Sequence, residues 1–130
     1  MLYLHPTLRN ADLTLGHDEL LRPSLLGPAR LGDLADRFAA AGWWRPLVRH
    51  DPAERWYTRM LRSDGVEVWL LGWSPGQAVP AHDHGGAAGA FTVVDGELVE
   101  ETLNPSGSIS TLRAGSRTWF GPDQVHGVGN

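Results

Sequence analysis

The sequence predicts a mainly β domain that begins with helical segments, and three observations lead to this fold class. Apolar residues recur at helical spacing before Pro46, whereas short runs rich in β-branched and aromatic residues follow it. The 16 glycines and 9 prolines are typical of tight turns between short strands. The 130 residues suit a single domain, with a helical cap over about residues 1–45 and a barrel over about residues 46–130.

The clearest helix is predicted over Ala29–Trp43. Its apolar stripe consists of Leu31, Leu34, Ala35, Phe38 and Ala39. Gly42 is expected to end it, because glycine adopts the left-handed conformation of a helix C-terminus without strain. An earlier helical turn is expected within Asp18–Leu26. Trp43 and Trp44 are expected to pack the helix against the barrel.

The strands follow as short runs divided by turns. The runs "ERWYTRMLRS" and "VEVWLLGWS" are separated by "SDG". Asp95 and Gly96 lie between "AFTVV" and "ELVEETL", and this pair is typical of a two-residue hairpin turn. The runs "SISTLRAG", "RTWFGP" and "VHGVGN" complete the series, which indicates a small barrel or sandwich.

Composition excludes several classes of function. The formal net charge is −4 and no basic cluster is present, so we expect no binding to nucleic acid. Cysteine is absent, which excludes disulfides and thiolate metal ligands. Neither a signal peptide nor an apolar run of membrane-spanning length is found. We therefore expect a cytoplasmic protein without membrane contact, and we expect a monomer.

His82 and His84 are the most informative residues of the chain. Residues two apart in a strand point to one face, so both imidazoles could share a metal ion. His126 follows a predicted strand and is the candidate third ligand. Such a pair also occurs by chance on solvent-facing loops, so the pair alone leaves both interpretations open.

The residues around these histidines add specificity. Gly76 and Gly96 flank the first pair, and Gly115 and Asn130 flank His126. This spacing resembles the two motifs of the cupin superfamily. Within it, the run "YTRMLRSDGVEVWLLGWSPGQAVPAHDHGGAAGAFTVVDGELVEETL", together with "VHGVGN", resembles the thiol dioxygenases, specifically cysteine dioxygenase of the bacterial type.

The resemblance implies a cupin, or jelly-roll, β-barrel with N-terminal α-helices and a metal centre. It implies that His82, His84 and His126 hold Fe²⁺ and that L-cysteine is oxidised by O₂ to cysteine sulfinic acid. Gly89 stands where many cupins carry a carboxylate ligand, and where some relatives carry a cysteine cross-linked to tyrosine. The donor set is therefore expected to be three neutral imidazoles.

The strand "RWYTRML" carries the candidate substrate residues. Tyr57, Arg59 and Leu61 are expected to share one face, and a guanidinium can bind a carboxylate through two parallel hydrogen bonds. By resemblance, Arg59 holds the substrate carboxylate, Tyr57 assists it in binding and catalysis, and Leu71 and Trp73 line the pocket. An exposed arginine and ordinary core residues remain the alternatives.

Two other functions stay open. Dioxygenases of 3-mercaptopropionate are similar, but they usually show glutamine where Arg59 stands. A non-catalytic cupin that binds a metal or small molecule is the other alternative. Cysteine dioxygenases continue, beyond the equivalent of Asn130, through strands carrying a serine, histidine and tyrosine network, so this chain is expected to lack C-terminal barrel strands.

The remaining polar residues are expected at the surface. Asp83 is expected to face away from the ligands. Acidic residues of a hairpin arm are expected to form a solvated face, namely Glu97, Glu100 and Glu101. Three histidines stand in no ligand spacing, namely His5, His17 and His50.

Overall fold

The computed structural model describes residues 2–8, 27–104 and 107–130. Within them, a 3-10 helix spans Pro6–Leu8 and helix α1 spans Pro28–Ala41. The strands are β1 (Tyr3–Leu4), β2 (Trp56–Arg62), β3 (Glu67–Gly72), β4 (Ala78–His82), β5 (Gly89–Thr92), β6 (Glu97–Asn104), β7 (Ser108–Arg113), β8 (Arg117–Phe120) and β9 (Val125–Gly129). The predicted helical turn within Asp18–Leu26 lies outside the described residues. None of the described helices is long and apolar enough to cross a membrane.

Helix α1 confirms the strongest prediction from periodicity. Pro28 begins it, at a position where the missing backbone N–H costs nothing. Gly42 ends it with φ of 71°, and the Gly42 N–H donates to the Ala39 carbonyl. Leu34 and Phe38 are buried on the predicted stripe.

The described strands form three antiparallel sheets. The first sheet has the order β1-β2-β3, the second β4-β9-β6-β7, and the third contains β5 and β8. The main core lies between α1 and the first sheet, and Trp43 and Trp44 pack against it as predicted. The helix is also bound to the third sheet, because Arg117 on β8 donates to Asp36 at 2.7 Å. Helix α1 therefore joins two sheets.

The predicted two-residue turn at Asp95 and Gly96 is wrong. Strand β5 pairs with β8 and β6 pairs with β7, so the two flanking strands do not pair with each other. Between these ladders, residues 93–96 face residues 114–116, and Gly96 has φ of 76°. Four residues opposite three make a bulge, and a glycine with positive φ serves some bulges as it serves a tight turn. One long ribbon therefore bends here from the third sheet into the second, and it reverses only between β6 and β7.

A second bulge corrects the predicted face of β2. The β3 partners of Arg59 and Leu61 are consecutive residues, so Met60 is an insertion in the ladder. Met60 and Leu61 are 2% and 0% exposed and both belong to the core. Leu61 therefore does not share the face of Tyr57 and Arg59, because the extra residue reverses the alternation of side chains.

Candidate metal centre

Two neighbouring strands and one loop carry the three histidines. His82 on β4 pairs directly with His126 on β9. His84 lies in the loop after β4, two residues beyond the strand end. The ring centroids are 4.8 to 4.9 Å apart in all three pairs. One nitrogen from each ring lies within 4.8 Å of the others, so the structure brings the three predicted residues to one place.

Hydrogen bonds determine which nitrogen of two rings is available to a metal. His82 Nδ1 lies 2.8 Å from the Pro80 carbonyl, and His126 Nδ1 lies 2.8 Å from Glu100 Oε2. A carbonyl and a carboxylate accept hydrogen bonds, so both Nδ1 atoms carry the proton. The Nε2 lone pairs of these rings are then free for a metal. His126 Nε2 faces His84 Nε2 at 3.2 Å, which places both donor atoms in the same small volume.

Glu100 is a residue that the sequence analysis missed. It was expected on a solvated face, but it is only 6% exposed. The physical reason is that its side chain points to the face of the second sheet that carries His126, whereas the neighbouring Glu101 points to the opposite face. Thr102 of β6 pairs with His126 of β9. Because residues two apart on a strand point to the same face, the Glu100 side chain lies on the same face as His126. Glu97 and Glu101 are exposed as predicted. The period-two alternation of "ELVEETL", which groups Glu100 with Leu98, was the available signal.

Burial favours the neutral form of His84. Burial lowers the pKa of the His84 imidazole below its ordinary value, and the nearby His126 and His82 rings lower it further. The Gln124 backbone and the Asp83 carboxylate act in the opposite direction to a smaller extent. A neutral imidazole has a lone pair to donate, so the cluster fits a divalent metal ion.

An aromatic ring occupies the place of a fourth side chain at this cluster. Gly89 on β5 pairs directly with Phe120 on β8, and a Cβ at Gly89 would overlap the Phe120 ring. That ring stacks on His84, with centroids 4.1 Å apart and an interplanar angle of 28°. Among the described residues, no carboxylate oxygen belongs to the group of possible metal ligands that the three imidazoles form. The packing of Phe120 thus leaves no room for a side chain at position 89 beside the histidines.

A comparison with known protein families identifies the family of this chain. A family model described as cysteine dioxygenase type I matches residues 32–116, which is more than half of the 130 residues. The chain belongs to the cysteine dioxygenase type I family. His82 and His84 lie inside the matched range of this family, whereas His126 lies beyond its end. No curated protein matches the chain at a significant level.

Solved structures confirm the predicted fold of this cysteine dioxygenase family member. The protein TT1209 from Thermus thermophilus is similar with a TM-score of 0.59 and 24% identity, covering 66% of this chain and 79% of that chain. A cupin superfamily protein from Desulfitobacterium hafniense is similar with a TM-score of 0.56 and 16% identity, covering 64% of this chain and 72% of that chain. The chain therefore has a cupin β fold.

Three of the four predicted substrate residues lie together in this cysteine dioxygenase family member. Tyr57, Leu71 and Trp73 line a cleft of about 300 Å³ together with Val79 of β4. Tyr57 and Leu71 are 63% and 54% exposed, so this face of the first sheet is open among the described residues. Neither Arg59 nor the histidines line this cleft.

Arg59 has weak partners in the described part of the chain. Its guanidinium carbon lies 5.4 Å from the centroids of both Tyr3 and Trp69. Glu67 is its ionic partner at 3.7 Å, and this carboxylate also pairs with Arg62 at 3.5 Å. Arg59 Nε is buried and donates to no described residue. Contacts of this kind hold the guanidinium over two rings and leave hydrogen-bonding capacity for an anion.

Asp83 and His50 lie at the surface, as the sequence predicted. The exposed Asp83 accepts a hydrogen bond from the Gly85 N–H at 3.1 Å and so stabilises the loop that carries His84. His50 is exposed, and His5 is partly buried with Thr7 as a hydrogen-bond partner. His17 lies outside the described residues.

Proposed function

We propose that this protein is an iron-dependent dioxygenase that oxidises L-cysteine to cysteine sulfinic acid. The observation that carries the proposal is the cluster of three imidazoles within 4.8 Å in a chain of the cysteine dioxygenase type I family. The reaction adds both atoms of O₂ to the substrate sulfur, so RSH and O₂ give RSO₂H. The equation balances without an external reductant.

His82, His84 and His126 would hold the metal. Imidazole suits several divalent ions, so the donor atoms do not select one, and Fe²⁺ is inferred from the family. Three neutral ligands leave the full charge of the ion to attract a thiolate. When bound, Fe²⁺ supplies the redox chemistry through which O₂ reacts with the thiolate sulfur. His82 and His126 contribute by keeping their protons on Nδ1 and their lone pairs on Nε2.

Arg59 would bind the carboxylate of cysteine. Its buried Nε lacks an acceptor among the described residues, which favours an incoming anion. The pair with Glu67 is long and partly exposed, so it costs little to displace. Tyr57 would assist Arg59, and Leu71 and Trp73 would line the approach to the substrate.

The setting of the enzyme is also inferred. We propose a single cupin domain over residues 1–130 that acts as a monomer in the cytoplasm, where reducing conditions keep thiol substrates reduced. Its partners would be a small thiol and O₂. Neither a nucleic acid nor a membrane is required for this reaction.

A direct assay tests the proposed function. The protein would be purified anaerobically, loaded with Fe²⁺ and mixed with L-cysteine, 3-mercaptopropionate or cysteamine in aerated buffer. We expect oxygen uptake with cysteine and an equal amount of sulfinate, measured by mass spectrometry. Fe²⁺ binding without any sulfinate would indicate a non-catalytic metal-binding cupin. Faster turnover of 3-mercaptopropionate would assign the other substrate.

A further inference from the structure

A carboxylate lies behind one of the three histidines, in the interior of the second sheet. Glu100 is 6% exposed and His126 is 3% exposed, and the carboxylate oxygen lies 2.8 Å from His126 Nδ1. The other two rings have no carboxylate partner. His82 Nδ1 is hydrogen-bonded to the Pro80 carbonyl, and no described carboxylate is hydrogen-bonded to His84. His126 is thus distinguished among the three by a charged partner.

Burying the Glu100 carboxylate costs free energy unless a positive charge lies nearby. A buried carboxylate loses its hydration, and a hydrogen bond from a neutral ring replaces only part of it. A divalent ion on the Nε2 side of His126 would supply the missing positive charge through the ring. The backbone of Glu100 is also held by the β6–β9 ladder, because Glu100 pairs with Val128 on β9, two residues from His126. The carboxylate is therefore placed before any metal arrives.

We propose that Glu100 is a positioning residue that strengthens metal binding through His126. It orients the ring, keeps the proton on Nδ1 and places a negative charge one imidazole away from an otherwise neutral donor set. Carboxylates behind metal-bound histidines commonly act in this way. Many cupins place a carboxylate directly on the metal, and here the Phe120 ring fills that place, so the charge acts indirectly. The inference rests on the proposed metal centre.

Metal affinity provides a test that does not depend on catalysis. Co²⁺ serves as the probe, because it is stable in air and its visible spectrum reports its coordination. Its dissociation constant would be measured by competition with a chromophoric chelator for the wild type, Glu100→Gln and Glu101→Gln. Glu101 is the matched control, since it is adjacent on β6 and exposed. We expect Glu100→Gln to bind Co²⁺ about 10- to 100-fold more weakly and Glu101→Gln to match the wild type.

The outcomes separate this inference from the proposed function. Equal Co²⁺ affinity of the two variants would overturn the role of Glu100 while leaving the three-histidine centre intact. A wild type that binds no Co²⁺ would overturn the metal centre and this inference together. Thermal unfolding of the metal-free proteins distinguishes positioning from simple stabilisation. In the positioning case, the difference between Glu100→Gln and wild type grows when Co²⁺ is added.

A measurement on the wild type keeps the inference testable if Glu100→Gln fails to fold. Zn²⁺ replaces Co²⁺ because it is diamagnetic, and the ring nitrogens are observed by ¹⁵N NMR. We expect a slowly exchanging, strongly deshielded proton on His126 Nδ1, since a buried carboxylate accepts it. A His126 ring bound to Zn²⁺ through Nδ1, or without that proton signal, would overturn the proposal.

Discussion

His82 and His126 face each other across the β4–β9 ladder, with ring centroids 4.9 Å apart. Direct pairing fixes the two Cα atoms close together, so both rings start from adjacent points of one rigid ladder. The third ring, His84, is held from a loop and is supported by the stacked Phe120. The candidate metal centre thus combines two rings on a rigid frame with one ring on a loop.

Removing a histidine should remove the metal. We expect His126→Ala and His82→Ala to lose bound iron and oxygen consumption, because two imidazoles cannot hold the ion against chelation by buffer. The measurements are iron per chain after anaerobic loading and oxygen uptake with cysteine. His50→Ala is the control, since His50 is exposed and stands outside the cluster. Full iron content in His126→Ala would show that the three-histidine site is wrong.

Replacing Arg59 should change substrate preference. A charge-assisted hydrogen bond contributes about 1.5–3 kcal/mol, so Arg59→Gln should lose roughly ten- to a hundredfold in kcat/KM for cysteine. The difference in kcat/KM between cysteine and 3-mercaptopropionate should narrow. Arg62→Gln is the matched control, because Arg62 pairs with the same Glu67 and is more exposed. If Arg62→Gln loses as much as Arg59→Gln, the carboxylate anchor is not specific to Arg59.

Adding a side chain at Gly89 should destabilise the protein through Phe120. A Cβ there would overlap the Phe120 ring, and overpacking of this kind costs about 1–3 kcal/mol in unfolding free energy. Gly89→Ala would be compared with Gly107→Ala, where a Cβ meets nothing within 4 Å. Chemical denaturation gives both free energies. In the double variant, the smaller side chain of Phe120→Leu should recover part of the free energy of unfolding lost through Gly89→Ala. Strict additivity of the two changes in the double variant would contradict the proposed clash.

Stability of the metal-free protein should fall on acidification because of His84. The pKa of His84 is lowered in the folded state, so the unfolded chain takes up a proton more readily as pH falls through about 6.5. Above that pH, the His84 ring is neutral in both the folded and the unfolded state and contributes nothing to the pH dependence of stability. Below that pH, protonation of His84 in the unfolded chain lowers the free energy of unfolding. Urea unfolding in the presence of a chelator at pH 7.5 and pH 5 measures the effect. His84→Gln should show a smaller fall, and an unchanged fall would rule out this origin.

The sequence by itself predicted the helix, most of the strands and the three candidate histidines. The helix follows from local rules, namely the period of apolar residues along α1 and the left-handed cap at Gly42. The spacing of His82 and His84 indicates the pair, although His84 lies in a loop and not on the strand. His126 is the third candidate because it follows a predicted strand and because the family resemblance supports it. A short-range pattern suffices where a feature depends on neighbouring residues. The family resemblance added the cupin fold, which the comparison with solved structures confirmed.

Only the tertiary structure decided how these parts meet. The Asp95-Gly96 signal specifies positive φ but not the pairing partner, so a bulge in a long ribbon looked like a hairpin turn. The same limit hid Glu100, because a charged residue on a strand is exposed or buried according to what packs against its face of the sheet. The pairing of β6 with β9 placed the Glu100 carboxylate against His126, and no local pattern encodes which strands become neighbours.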